Sequence, residues 1–429
     1  MTDDDAHLAA LLAEADVGLL DPVRAGTAVS RLTSDYAFLG HLLEIEATWT
    51  EVLADAGIVP TTHATAGRRA ADPAAYDLVA LAHQARAGGN PLIPALGAMR
   101  KQVLALTADS SAADSFHIGA TSQDVVDTAM MLMISETSKQ ILADLRRAAR
   151  ALVDLARAHR DTPMMARTLG QFALPTTFGL RAAGWLTGLT QAGQQLEAAV
   201  SSLPLQWGGA AGTQAHLSAR VAAEHRGGSL AAGTGALELS QDLAHRLGLQ
   251  TPPAPWHAMR IPVTTVASAL ASAVAASGKV SEDVLLAARI EIGELREPPA
   301  PGRGASSAMP HKRNPVLSVL IHSAALSAPS LLTQVVTAAG AAREERPDGA
   351  WHAEWAALRS LLRTAGGVAD CTAELLAGLE VDRERMTQNL VLTDREREQR
   401  PGRGSREDTG LAGALVDRTI DAHEEWSRS

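Results

Sequence analysis

The sequence predicts an all-α protein built as a bundle of long helices. Three observations predict it. Apolar residues recur near a 3.5-residue period in the middle of the chain, as at Ile141, Leu145, Ala149, Leu152 and Ala156. The periodic stretches are long and bounded by Pro or Gly, the residues that end helices. No run of alternating strands and no series of hairpins is legible.

Three helical domains follow in order. Residues 1–110 read as shorter helices, broken at Asp21-Pro22 and at residues 57–62 and 88–94, where Gly and Pro cluster. Residues 111–355 hold the long helices. The first, over 127–160, would be about 50 Å long at 1.5 Å per residue. Others are expected over 175–202, 230–247 and 262–297, the last rich in Ala, Ser and Val and so suited to burial on more than one face. The stretch 316–342 has no formal charge and could span a bilayer by length. It also carries His322, Pro329, Gln334 and many Ala, and small residues let helices approach closely, so a helix buried in a bundle is expected. Residues 356–429 read as a shortened C-terminal helical domain: an Arg- and Glu-rich stretch, a loop over 401–405, then a helix over 411–426. Helices this long cannot bury their faces in one small bundle, so other subunits should complete the core.

Composition excludes several classes. Of 429 residues 46% are hydrophobic and 20% charged, ample material for a core. A net charge of −10 argues against a nucleic-acid binder. Only four basic residues are lysines: Lys101, Lys139, Lys279 and Lys312. One cysteine, Cys371, allows neither an internal disulfide framework nor a cysteine zinc site. The histidines show no paired metal-ligand spacing, so no metal is expected. The N-terminus, Met1-Thr2-Asp3-Asp4-Asp5, is acidic where a signal peptide would be basic. A soluble cytoplasmic protein is the expectation, with no nucleic-acid or membrane partner.

Chemistry concentrates in residues 297–315, EPPAPGRGASSAMPHKRNP. The prolines and glycines make a non-helical lead-in to Ser306 and Ser307. Asn314 suits an N-cap and Pro315 a first helical residue, so a long helix should start here. Its unpaired N–H groups and positive dipole, beside Lys312 and Arg313, would suit an anion or a serine alkoxide. The plain alternative is a Ser-rich loop and a helix cap with solvated cations.

The run Ser306-Ser307-Ala308-Met309-Pro310-His311-Lys312-Arg313-Asn314-Pro315 resembles the signature of the fumarase/aspartase superfamily, usually G-S-S-x-M-P-x-K-x-N, with Ala305 in place of the glycine. The resemblance implies the superfamily's long-helix fold, with Ser306 as catalytic base. Lys312 and Asn314 would bind a substrate carboxylate, with Met309 beside them. Phe116-His117-Ile118-Gly119-Ala120-Thr121-Ser122-Gln123-Asp124 is similar to the superfamily's first block. That implies carboxylate contacts from Thr121 and Ser122 and a substrate-side catalytic role for His117, which alone would read as a buried, satisfied histidine. Arg167-Thr168-Leu169-Gly170-Gln171 resembles the second block, Thr-His-x-Gln, with Thr168 and Gln171 as substrate contacts. The family also implies a homotetramer, active sites built from several subunits, and no cofactor.

Leu169 stands where many members carry histidine. Lyases that release an amine benefit from an acid that protonates the leaving nitrogen, and leucine cannot supply one. The remaining chemistry needs one proton transfer at carbon and a group that stays anionic. Two further runs are similar to the superfamily's cycloisomerase branch: Pro255-Trp256-His257-Ala258-Met259-Arg260, and the stretch from Glu345-Arg346-Pro347 to Trp351-His352-Ala353-Glu354-Trp355. Trp351 and Trp355 could equally be a helical core stripe. Arg260 and Arg346 are expected to contact a polycarboxylate. The resemblance therefore implies a cycloisomerase lactonising 3-carboxy-cis,cis-muconate in protocatechuate (β-ketoadipate) breakdown. The alternatives are a same-fold lyase that expels a good anion, such as nitrite from nitrosuccinate, or an inactive helical scaffold.

Overall fold

The computed structural model describes residues 16–227, 235–304, 309, 312–392 and 408–429. Among them the helices are α1 Ala28–Leu32, α2 Asp35–Asp55, α3 Thr61–Ala70, α4 Leu78–Gly88, α5 Leu92–Thr107, α6 Ser122–Ala158 and α7 Phe178–Ser201. They continue with α8 Ala215–Gly227, α9 Ala236–Arg246, α10 Ile261–Ala287, α11 Val316–Gly340, α12 Ala350–Ala377, α13 Arg383–Leu392 and α14 Ala412–Arg428. Two 3-10 helices, Pro73–Ala75 and Ser110–Ser115, and two short antiparallel ribbons complete the described elements: β1 Pro163–Thr168 with β2 Gln171–Thr177, and β3 Leu295–Arg296 with β4 Glu380–Val381.

Local chemistry sets the helix starts. Ser34 caps α2 by accepting the Ala37 N–H at 3.1 Å, and Thr177 caps α7 through the Leu180 N–H, also at 3.1 Å. Helix α6 begins five residues earlier than its apolar pattern suggested. Asp124 reaches back to the Thr121 N–H at 2.9 Å, the acidic half of a capping box. Helix α10 stops ten residues short of the expected end. The chain turns through Gly293, at φ +66°, and lays β3 against β4. Of the helix expected over 230–247, residues 230–234 lie outside the described residues; the remainder is α9, which starts at Ala236 after the N-cap Gly235.

The core is made by α6, α7, α10, α11 and α12 lying side by side. Helix α6 packs on α7 and α12, and α11 packs between α10 and α12. Helix α14 lies against α7 and α6, fastened by the Trp426 indole N–H, which donates to Glu197 at 2.7 Å. Gly193 permits that approach, since a Cβ there would lie 2.2 Å from the Trp426 ring. Both α10 and α11 are long and apolar enough to cross a membrane. In this fold both pack against the other long helices, α10 half-buried and α11, expected as a buried helix, only 28% buried over its most apolar stretch: Ile321, Ala324, Ala328 and Val335 are buried and Val319, Leu326 and Val336 are exposed.

The β1–β2 hairpin was not expected. Its strands are short, each carries a proline, and a bulge between Met165 and Arg167 breaks the alternation. The turn is Leu169-Gly170 rather than an Asn-Gly or Asp-Gly pair.

Candidate active site

The N-terminus of α6 carries a buried polar frame, and Asp124 is its hub. This carboxylate is wholly buried and receives five donors. Oδ1 accepts from the Gly208 N–H at 2.8 Å, His257 Nε2 at 2.7 Å and Gln206 Nε2 at 3.3 Å. Oδ2 accepts from the N–H groups of Gly209 at 2.8 Å and Thr121 at 2.9 Å. The 208–209 segment must come this close. Gly209 has φ +72°, and a Cβ there would meet the Gly119 carbonyl oxygen at 2.8 Å. Thr121 and Ser122 thus sit on a support fixed by three separate parts of the chain.

His117 belongs to the same loop and lies at φ +68°, a strained value for a residue with a side chain. Its Nδ1 is 2.6 Å from Glu46 Oε1 of α2. Burial pulls its pKa down, but the charge and hydrogen bond of Glu46 outweigh that and hold it above the ordinary value. Arg346 joins the frame from the other side. It is exposed, and its guanidinium donates to the Ala210 carbonyl at 3.0 Å, next to the Gly208–Gly209 cradle.

Arg260 departs from expectation. It is 3% exposed, and its donors are spent inside the chain. It meets Asp127 Oδ2 at 2.6 Å and Oδ1 at 2.9 Å, and Glu354 Oε2 at 2.8 Å. Trp351 Nε1 completes Asp127 at 2.8 Å, and Arg260 stacks over Trp256 at 4.7 Å. Burial alone would lower the guanidinium's pKa, and the two carboxylates reverse that and raise it. In this chain Arg260 is a structural bolt joining α6, the start of α10 and α12, not a donor facing open space. Trp351 and Trp355, with ring centroids 4.7 Å apart, belong to the same packing.

Thr168 and Gln171 are paired across the tip of the β1–β2 hairpin, both exposed. Between them Leu169 (φ +51°) and Gly170 (φ +77°) make a two-residue turn with both central residues left-handed. Leu169 is fully exposed. Just below the turn, Arg167 grips the buried Glu294 at 2.9 and 3.0 Å, and Asn389 adds a bond to Glu294 at 2.8 Å.

In the signature segment Ser306 lies outside the described residues, as do Ser307 and His311. Met309 is 42% exposed and Lys312 is exposed, with the Lys312 N–H on the Met309 carbonyl at 3.0 Å. Asn314 is not the N-cap. Its Nδ2 donates to the Gly304 carbonyl at 3.2 Å, and Pro315 takes the cap position of α11. The helix end is already filled. Glu297 accepts the Leu317 N–H at 3.0 Å and the Ser318 N–H at 2.6 Å. The anion seat read from the sequence is therefore occupied by the chain's own carboxylate, which folds residues 297–304 back over the helix start.

His117, Thr121 and Ser122 stand together. Among the described residues no hydrogen bond or ion pair joins them to Thr168 and Gln171, or to Lys312 and Asn314. Sequence reasoning missed Glu46 and Asp127, which have no local signal because their partners lie 71 and 133 residues away, and it gave Glu354 no role although the residue stands in the run that resembles the cycloisomerase branch, 94 residues from its partner. Asp124 had a signal, an acid three residues after a capping threonine. Cys371 is buried, and burial pushes its thiol up to about 12, so it is not a poised nucleophile.

The arrangement offers hydroxyls, amides and cations for carboxylates, and an apolar tip where an acid would otherwise stand. A lyase family model matches residues 26–329. The chain is 47% identical over 383 residues to a nitrosuccinate lyase of Streptomyces davaonensis, covering 89% of this chain and 79% of that protein. It is 40% identical over 361 residues to a 3-carboxy-cis,cis-muconate cycloisomerase of Pseudomonas aeruginosa, covering 84% and 75% respectively. The solved 3-carboxy-cis,cis-muconate lactonizing enzyme of Pseudomonas putida superposes with a TM-score of 0.83 at 31% identity, covering 95% of this chain and 99% of that one. A match over most of the chain, carried by the same long-helix architecture, establishes that the protein is an enzyme of the lyase family within the fumarase/aspartase superfamily.

Proposed function

We propose that this enzyme expels a weakly basic anion from a small polycarboxylate, with nitrite leaving nitrosuccinate as the leading reaction. The observation that carries it is Leu169: an apolar side chain, wholly exposed on a two-residue turn, between the two residues read as substrate contacts. No proton can be delivered from it, so the departing group must be stable as an anion. The 47% identity to a nitrosuccinate lyase supports the same choice.

Ser306 takes the proton from the carbon next to the nitro-bearing carbon. The C–H electrons form the alkene, the C–N bond breaks, and nitrite leaves with its electron pair. The product is an unsaturated four-carbon dicarboxylate. Thr121, Ser122, Lys312, Asn314, Thr168, Gln171 and Arg346 hold the carboxylates and stabilise the charge that develops on the one beside the deprotonated carbon. A homotetramer would bring these three groups together at one site, and the exposed apolar residues of α11 fit such an assembly.

Lactonisation of 3-carboxy-cis,cis-muconate is the second reading. The TM-score of 0.83 and the 40% identity to cycloisomerases favour it. It too needs one proton transfer at carbon and no second acid. Nitrite release from nitrosuccinate and loss of the diene absorbance of the muconate, measured side by side, separate the two. Ser306→Ala should abolish whichever reaction occurs while substrate still binds. Retained turnover in that variant removes the mechanism.

A further inference from the structure

Glu46 is an acid in an apolar stretch. It lies on α2 among Leu42, Leu43, Ile45 and Trp49, and is 1% exposed. Its Oε1 is 2.6 Å from His117 Nδ1, and its Oε2 is buried without a hydrogen-bond partner. A carboxylate stripped of water is costly unless a cation meets it, and His117 is the group in contact. The backbone on both sides of the histidine is tied down. On one side the Phe116 carbonyl is held by Arg100 at 2.9 Å, and on the other the Ile118 carbonyl is held by Trp49 Nε1 at 2.9 Å. Its own backbone sits at φ +68°, a conformation that persists only where the surroundings over-determine it. With Nδ1 committed to Glu46, Nε2 is the nitrogen left for a ligand, on a ring that is 17% exposed.

We propose that Glu46 is a positioning residue, holding His117 doubly protonated so that its Nε2–H meets a carboxylate of the bound substrate. This deepens the polycarboxylate reading above and rests on it. The charged groups around the ring are Glu46 from α2, Arg100 from α5 and Asp124 from α6. Burial and Arg100 disfavour the imidazolium, while Glu46 and Asp124 favour it and prevail. Ordinary histidine is mostly neutral above its usual pKa, whereas this one would keep its charge to higher pH and bind anions there.

The test is Glu46→Gln in the full-length enzyme, which keeps an acceptor for Nδ1–H and removes the charge. The titration of His117 is followed by NMR, and binding of succinate, a plain dicarboxylate probe, by calorimetry across pH. The variant should lower the His117 midpoint by about one unit and weaken succinate about tenfold well above the wild-type midpoint. Glu46→Asp should restore part of both. An unchanged midpoint overturns the proposal, as does a shifted midpoint with unchanged succinate affinity. Should Glu46→Gln not fold, His117→Gln serves instead: succinate binding should weaken at pH 6 and lose its pH dependence, and wild-type binding overturns the proposal. Failure to turn over either nitrosuccinate or the muconate would reject the proposed reaction alone, because the titration and succinate measurements need no turnover.

Discussion

Glu297 Oε1 and the Ser318 backbone N–H lie 2.6 Å apart, and the second carboxylate oxygen of Glu297 takes the Leu317 N–H at 3.0 Å. One side chain thus satisfies two of the free donors at the start of α11 and ties the lead-in of the signature loop to the helix it precedes. The positive end of the helix dipole is neutralised from within the chain.

Removing that carboxylate should cost a helix cap. Glu297→Ala is expected to lower the unfolding free energy by about 1 kcal/mol, as loss of a capping side chain does. Urea denaturation measures it, and a variant as stable as wild type would show that water replaces the cap without loss.

Arg260 discriminates a structural from a substrate-binding role. Arg260→Met leaves Asp127 and Glu354 buried without their cation and should destabilise by about 3–5 kcal/mol. The alternative outcome, wild-type stability with weakened substrate binding, would return Arg260 to the substrate.

Leu169 holds a left-handed backbone angle that a branched side chain disfavours. Leu169→Asn should stabilise the fold by about 0.5–1 kcal/mol, since asparagine tolerates that region. Leu169→His should not speed nitrite release, because an anionic leaving group needs no proton. A large acceleration in the histidine variant would contradict the proposed leaving-group chemistry.

The raised pKa of His117 makes part of the stability depend on pH. The pairing with Glu46 stabilises fully below 6.5, the ordinary value, and the contribution is lost as pH rises through the higher folded value. Other histidines run the opposite way: burial lowers the pKa values of His41, His159 and His423. The informative quantity is therefore the difference between wild type and His117→Gln. Their gap in unfolding free energy should be widest near pH 6 and shrink toward pH 9, and a gap that widens with pH would refute the pairing.

Much of the fold was legible along the chain. Helices α6, α7, α11 and α14 announce themselves by apolar spacing and by the Pro, Gly and Thr residues at their ends, because helix formation is a matter of neighbours three and four residues apart. The hairpin around Leu169 was not legible, since its turn lacks the usual residue pair and a bulge hides its alternation. The signature segment pointed to the right superfamily, yet its cap was misread. Asn314 has the right chemistry for an N-cap, but Glu297, seventeen residues upstream, outcompetes it with a charged acceptor and two bonds.

By itself, then, the sequence determined the helical class, the family and the residue types brought to the chemistry, because these are written in short-range pattern and local motif. Only the tertiary structure decided which charges are spent on holding the molecule together. Arg260 and Arg346 look alike in sequence, both arginines in motif-like runs. Burial between Asp127 and Glu354 makes the first a bolt, while the second stays exposed beside the Asp124 frame. Glu46 and His117, 71 residues apart, become one unit for the same reason: a charge taken out of water must find its partner, and only the folded chain brings that partner within reach.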